Sequence, residues 1–173
     1  MSRGLGDVYK RQILSLLTEQ NAFVARLPDG VTYRFHHMMK ECAQRTFRTL
    51  PPESQQRGRR RYGQWYEERG QYLQALRAYG GAEDFDGVLR VVEKDAGILL
   101  ALLPPEQVLS WLDRCLPEVL ERHPLAMLVL MRSMFNWRRI PEMLRLKEQL
   151  LAAIDARPDM SGEERGHLRG ECD

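Results

Sequence analysis

The stretch Val31-Thr-Tyr-Arg-Phe-His-His-Met-Met-Lys-Glu-Cys-Ala-Gln-Arg-Thr-Phe47 changes its apolar period in the middle. Up to Phe35, apolar and polar side chains alternate, as they do in a half-buried β-strand. Beyond it the apolar residues recur every three or four positions, which is typical of an amphipathic helix. They are Met38, Met39, Cys42, Ala43 and Phe47. The sequence therefore predicts a strand that passes directly into a helix, with His36 and His37 at the junction.

The residues before this stretch predict a helix and a first strand. Apolar side chains on one side of residues 13–20 indicate the helix, and Asn21–Leu27 reads as a strand. The turn Pro28-Asp29-Gly30 joins it to the second strand, and Gly30 can take a positive φ there without steric cost. An isolated hairpin is marginal in water, so we expect it to pack on neighbouring helices.

The junction carries a family resemblance. Tyr33-Arg34-Phe35-His36-His37-Met38-Met39 resembles the end of the winged-helix domain in MalT-like regulators, the large ATP-dependent members of the LuxR group, and the preceding helix, strand and turn fit as well. The resemblance implies that residues 13–50 form the C-terminal part of a winged helix within a nucleotide switch. The hairpin would be its wing.

The region 51–173 resembles a tetratricopeptide-like arm of antiparallel helical hairpins. Pro51-Pro52 ends one helix and can open the next. From Gln56 the spacing of small and large residues fits the tetratricopeptide pattern of about 34 residues. Those residues are Tyr62, Gly63, Tyr66, Gly70, Tyr72, Ala75, Tyr79 and Ala82. Arg59 stands where that family often carries a tryptophan, so the unit is a departure from the strict repeat.

Further helix starts are predicted along the arm, and the fold class is mainly α. An acidic capping residue precedes the apolar pattern from Val88, and prolines open helices at Pro105 and Pro124. Residues 138–157 supply an antiparallel partner for the helix from Pro124. The capping-box spacing of Ser161 and Glu164 predicts a last helix, which we expect to bury nothing because the chain stops soon afterwards.

We expect both ends of the chain to be truncated. Residues 1–12 show no periodicity and do not match the family that begins to match at Ile13, so we expect them to be a foreign leader similar to translated adaptor sequence. The helix after them begins abruptly. Its apolar stripe, which we expect to be uncovered and to favour self-association, is Ile13, Leu14, Leu16 and Leu17.

The composition of the chain implies no strong electrostatic partner. The 173 residues include 26 basic and 24 acidic side chains, and a formal charge of +2 does not by itself imply a nucleic acid or an anionic membrane. The longest apolar run, Ile98 to Leu103, is far shorter than the roughly 20 residues of a membrane span. With no apolar signal-peptide centre, a cytoplasmic location is predicted. The three cysteines form no close pair, and we expect Cys42 and Cys115 to be core thiols.

His36 is the candidate site residue. The resemblance implies that a histidine at this position touches the phosphates of a bound nucleotide, and a strand-to-helix junction suits that contact because helix N-terminal amides and an imidazole can face one anion. The alternative is a capping or packing histidine. No Gly-x-x-x-x-Gly-Lys-Ser/Thr loop occurs in the sequence. We therefore expect no catalytic residue, metal or cofactor of its own, whereas the full-length regulator would bind and hydrolyse ATP.

Charged clusters offer weaker candidates. The densest basic patch lies at Arg57, Arg59, Arg60 and Arg61, with aromatic residues close behind. It could contact nucleic acid, but consecutive arginines point around a helix, and the aromatics fit repeat packing. Paired acids such as Glu67-Glu68 have the spacing of solvated faces and lack histidine or cysteine companions, so an acid/base or metal site is not indicated.

The sequence thus predicts a coupling segment of a MalT-like transcriptional regulator. It would link the nucleotide switch to an arm that receives an inducer or a regulatory protein. Its partners would be the upstream ATPase domain and the downstream DNA-binding domain of the same polypeptide, with DNA reached only through the latter and no membrane involved. Two alternatives stay open: a stand-alone tetratricopeptide-like scaffold that binds a protein, and a winged-helix nucleic-acid binder.

Overall fold

The computed structural model describes residues 12, 13, 15, 16, 19, 24–28, 30, 33–156 and 161–170. The contacts divide the chain into two compact units, Met1–Gln55 and Gln56–Asp173, called here the first and second unit. The boundary falls a few residues beyond the Pro51-Pro52 step.

The first unit contains the predicted hairpin. Strand β1 (Val24–Arg26) pairs antiparallel with β2 (Tyr33–Phe35), and Val24 lies opposite Phe35. Gly30 takes a φ of +67° in the turn, and its backbone N–H donates to the carbonyl of Leu27 at 3.0 Å. The hairpin and its glycine turn are confirmed, while the outer strand residues 21–23 and 31–32 lie outside the described part of the chain.

Helix α1 (His37–Thr49) begins immediately after β2, as the change of period predicts, and ends at Leu50 before the two prolines. None of the described residues of α1 is buried. The prediction of a core thiol is wrong for Cys42, which is exposed. An amphipathic pattern tells which side of a helix is apolar, but not what covers it.

The second unit is a series of helices. Helix α2 (Pro52–Glu67) crosses the boundary between the units. It is followed by α3 (Tyr72–Gly81), α4 (Phe85–Asp95), a 3-10 helix (Ile98–Leu102), α5 (Pro105–Arg114), α6 (Pro117–Glu121), α7 (Pro124–Asn136), α8 (Ile140–Asp155) and α9 (Gly162–Gly170).

Local sequence signals determine where most of these helices begin. Proline occupies the first helical position of α2, α5, α6 and α7, where its missing N–H costs nothing. Asp84 caps α4 by accepting a 3.2 Å hydrogen bond from the N–H of Gly87. The predicted starts at Asp84, Pro105 and Pro124 are thereby confirmed.

Glycines allow the helices of the second unit to approach closely. A Cβ on Gly63 of α2 would lie 2.6 Å from the ring of Tyr79 on α3, and one on Gly87 of α4 would lie 2.7 Å from the same ring. Gly80 supports Trp111 in the same way, with 2.3 Å between its ideal Cβ and the indole. Small residues in one helix thus receive large side chains from a neighbouring helix.

The core continues through α7 and α8, which pack against each other across a short turn. Met127 and Met134 of α7 are fully buried together with Leu150 and Ile154 of α8. The last helix also contributes, since Leu168 of α9 is buried in this core. The expectation that a helix after Ser161 buries nothing is therefore wrong, because two turns of the helix are enough to place Leu168 in the core.

Among the described residues, every strand lies before Pro52, so the predicted mainly α fold with a single hairpin is confirmed for that part of the chain. Over the same residues, no helix has the length and hydropathy needed to cross a membrane.

Candidate functional site

His36 lies where the sequence predicts it, between the end of β2 and the start of α1. It is the N-cap residue of α1, and its Nδ1 accepts a 3.4 Å hydrogen bond from the backbone N–H of Met38. Its ring lies 4.2 Å from the ring of His37 at an interplanar angle of 40°. Both imidazoles are exposed, so an anion can approach them and the first amides of the helix together.

The hydrogen bond to Met38 supports the capping alternative for His36. The cap engages Nδ1, and a phosphate contact would require the other ring nitrogen, Nε2. A contact to nucleotide phosphate stays a prediction.

A dense polar cluster in the second unit is centred on Glu67, at the end of α2. One carboxylate oxygen, Oε2, accepts hydrogen bonds from the hydroxyl of Tyr79 at 2.7 Å and from Arg90 at 3.0 Å. The other, Oε1, accepts from Arg90 at 3.0 Å and from Lys94 at 2.6 Å. The Glu67 side chain is only 8% exposed. The cluster therefore joins α2, α3 and α4 through one largely buried carboxylate.

This environment shifts the ionisation of its members. Burial alone would raise the pKa of Glu67, but the hydrogen bonds from Arg90, Lys94 and Tyr79 outweigh it and lower that pKa to about 2. Burial, together with the adjacent Glu67 carboxylate, raises the pKa of Tyr79 well above its ordinary range. The cluster is thus a fixed ion pair with a neutral phenol, which positions helices and has no proton to exchange near neutral pH.

A second polar group connects α4 with the start of α7. His123 is 13% exposed, with Nδ1 at 3.1 Å from Glu93 Oε2 and Nε2 at 3.3 Å from Asp86 Oδ1. Arg122 also reaches Asp86 Oδ1, at 3.0 Å. Glu93 in addition accepts a 3.4 Å hydrogen bond from the N–H of Ala126, in the first turn of α7. These bonds fix the N-terminus of α7 against α4.

The sequence predicts neither the polar cluster around Glu67 nor the one around His123. The expectation that Glu67 belongs to a solvated face is wrong, whereas its neighbour Glu68 is exposed. A local signal exists for Asp86 and Arg90, which form an i,i+4 ion pair at 3.2 Å. The partners of Glu67 and His123 lie on other helices, and a helical period does not reveal which helices meet.

The basic patch on α2 is partly engaged inside the protein. Arg59 donates from Nη1 to the carbonyl of Gly81 at 2.7 Å, and Arg60 pairs with Asp84 at 2.8 Å. These arginines hold the turn between α3 and α4, as expected for side chains that point around a helix. This use weakens the case for a nucleic-acid interface.

An exposed aromatic face lies on another side of α2. Tyr62 is 59% exposed and Trp65 is 47% exposed. Arg69 stacks its guanidinium 4.0 Å from the centroid of the Trp65 ring and donates from Nη1 to the Trp65 carbonyl at 3.1 Å. The indole is therefore held in one orientation although it faces solvent.

The described residues bring no three His, Cys, Asp or Glu side chains together in a way that could hold a metal ion. The polar groups around Glu67 and His123 instead position helices. No protein-family model, curated protein or solved structure matches this chain.

Proposed function

We propose that this chain is the coupling segment of a MalT-like, LuxR-type transcriptional regulator. Its hairpin and α1 would be the end of the winged helix in a nucleotide switch, and α2 onward would begin a tetratricopeptide-like arm that receives a signal. The ATPase that binds ATP or ADP and the helix-turn-helix that binds DNA would belong to the same polypeptide.

The observation that carries this proposal is the strand-to-helix junction at His36. The family motif requires an aromatic-Arg-aromatic strand that opens a helix at two histidines, and here β2 ends at Phe35, His36 caps, and α1 begins at His37. The contact of Gly63 with Tyr79 adds support, because it is the small-to-large packing expected between the two helices of a tetratricopeptide-like unit.

The genomic sequence around the segment tests the proposal directly. We expect a Gly-x-x-x-x-Gly-Lys-Ser/Thr loop several hundred residues upstream of Ile13 in the same reading frame, and a helix-turn-helix downstream of the arm. A reading frame that lacks both would overturn the proposal, whatever the origin of residues 1–12.

A second candidate, a protein-binding scaffold, is favoured by the aromatic face of α2. Tryptophan, tyrosine and arginine dominate the energetics of protein interfaces, and a side chain that is already ordered loses less entropy on binding. Trp65 meets both conditions, since Arg69 holds it in place. The scaffold would use Tyr62 and Trp65 as its contact residues.

Purification of the chain from its native host, with quantitative mass spectrometry, tests the scaffold. A specific partner should disappear with Tyr62→Ala and with Trp65→Ala, while Phe135→Ala, an equally exposed aromatic residue on α7, should retain it. A partner set that is identical in the three variants would contradict the scaffold function for this face.

A further inference from the structure

An apolar cavity lies between α4 and α5. Val88 of α4 faces Val108, Trp111 and Leu112 of α5 across it, and Phe85 and Cys115 complete the wall at the ends of the two helices. Residues of the 3-10 helix and of α7 close the remaining sides. A water-sized sphere can occupy about 20 Å³ of the cavity, and the empty space around it, which includes open solvent, is about 300 Å³.

The wall cannot retain water. A buried water needs two to four polar partners, and every surface that faces this cavity is apolar. The Cys115 thiol donates a hydrogen bond to the carbonyl of Leu116 at 3.6 Å. Burial raises the pKa of this thiol to about 11, so the wall carries no charge near neutral pH. An apolar group is therefore the occupant with the most favourable free energy.

The wall is also held open. Trp111 is 5% exposed and its indole lies against the backbone of Gly80, so it cannot turn away without displacing α3. Val108 is 1% exposed, so neighbouring side chains enclose it. Because Gly80 lies directly behind Trp111 and protein interiors are close-packed, we expect the cavity to persist.

The mouth has a different character from the interior. Phe85 and Cys115 are half-buried there, and Arg114 places its guanidinium 5.8 Å from the centroid of the Phe85 ring. Arg114 also pairs with Glu83 at 2.5 Å. A molecule with an aliphatic end inside would thus meet charged groups at its outer end.

We propose that this cavity binds the aliphatic end of a small amphiphilic molecule, with one or two carbon atoms enclosed by Val88, Val108 and Leu112 and a polar group at the mouth near Arg114. The enclosed volume exceeds the roughly 10–15 Å³ that a single water requires, and a methyl or ethyl end matches it. The inference concerns the helical core and is independent of the proposed coupling function.

Titration with 1-hexanol, followed by the methyl NMR signals of Val88, Val108 and Leu112, tests the site. Only one or two carbon atoms are enclosed, so we expect saturable shifts with a dissociation constant on the order of 10 mM. A matched probe, 1,6-hexanediol, has a polar group at both ends and should shift these signals at least about tenfold less at equal concentration.

Matched variants separate binding at the cavity from general effects of the alcohol. Val108→Ile adds one methyl group to the cavity wall and should weaken 1-hexanol binding at least about tenfold. Cys115→Met places a longer side chain at the mouth of the cavity and should weaken binding to the same extent. Val119→Ile makes the same change outside the wall and should leave binding unaltered. Absent or non-saturable shifts, equal shifts with the diol, or unchanged binding in both filling variants would overturn the site and leave a packing void.

Discussion

The hydroxyl of Tyr79 donates a 2.7 Å hydrogen bond to Oε2 of Glu67, twelve residues earlier on the neighbouring helix. The same tyrosine ring lies between the backbones of Gly63 and Gly87 and is fully buried. One side chain therefore sets the distance between three helices and satisfies the carboxylate that joins them. Packing and electrostatics at this point cannot be changed independently.

Gly63→Ala should destabilise the second unit. The added Cβ would lie 2.6 Å from the Tyr79 ring, which has little room to move because it is fully buried and Gly87 approaches it as well. Overpacking of this kind costs about 1–3 kcal/mol in the free energy of unfolding. Urea denaturation followed by circular dichroism measures it.

Gly166→Ala is the matched control for this change. A Cβ on Gly166 of α9 meets no atom within 4 Å, so alanine should be neutral or stabilise by up to about 1 kcal/mol through its higher helix propensity. Equal effects of the two substitutions would show that Gly63 is not a packing contact.

The stability contributed by Glu67 should depend on pH with a defined sign. Its pKa falls from an ordinary value of 4.5 to about 2 on folding, so its contribution is fully present above the unfolded value and is lost as pH decreases from about 4.5 towards 2. The difference corresponds to at most about 3 kcal/mol, more than half of it lost by about pH 3.

Urea denaturation of Glu67→Gln and the wild type between pH 3 and pH 7 measures this contribution. The variant should be less stable by about 3 kcal/mol at pH 7, and the gap should narrow on acidification. Glu68→Gln removes an exposed carboxylate from the next position and should produce a small gap without pH dependence. A constant gap for Glu67→Gln would contradict the ion-pair role.

The sequence predicts the elements of this fold well because their signals are local. The change of period at Phe35, the proline starts and the Asp84 cap each act within one turn of the chain. The sequence pattern wrongly predicts a solvated acid at Glu67 and an unburied residue at Leu168. Both are buried, because helices that are distant in the sequence cover them.

The candidate site shows the same limit. A motif places His36 at a strand-to-helix junction, and two adjacent elements are enough to fix that position. The cavity between α4 and α5 has no sequence signal, since its lining is the ordinary apolar stripe of each helix. The cavity exists only because of the distance between these two helices, which the sequence pattern does not give.

His123→Ala should loosen α7 from α4. The imidazole is largely buried and lies within hydrogen-bond distance of both Asp86 and Glu93, so its removal leaves two carboxylates without this partner. We expect a loss of about 1–3 kcal/mol and faster amide exchange in the first turn of α7. His167→Ala, an exposed histidine on α9, should change neither quantity. Unaltered exchange in His123→Ala would contradict the link.

The first unit should associate through its uncovered apolar side chains. Ile13 and Leu16 of the predicted stripe are exposed, as are Phe35 and Met38, and Val24 is the buried hydrophobic residue among the described positions before Gln56. Sedimentation should therefore show association that weakens in Ile13→Ser/Leu16→Ser. Leu116→Ser/Leu125→Ser, on exposed residues of the second unit, is the control. A monomer that binds no hydrophobic dye would contradict this prediction.

The role of His36 can be separated into capping and phosphate contact by the choice of substitution. His36→Ala removes both functions, whereas His36→Asn retains an excellent N-cap and removes the imidazole. If His36 only caps α1, His36→Asn should behave like the wild type in the full-length regulator proposed above. If the imidazole holds the resting ADP form, as the family resemblance implies, both variants should raise transcription without inducer.

The expected size of that effect follows from the contact it removes. A hydrogen bond to a charged phosphate contributes about 1.5–3 kcal/mol, and a contact made in only one state shifts the equilibrium by that amount. Basal transcription should then rise by about ten- to a hundredfold in His36→Ala and His36→Asn, with weaker ADP binding in both. His37→Ala should do less, because His37 lies inside α1 and does not cap it. Wild-type ADP affinity and basal transcription in His36→Asn would reduce His36 to a capping residue.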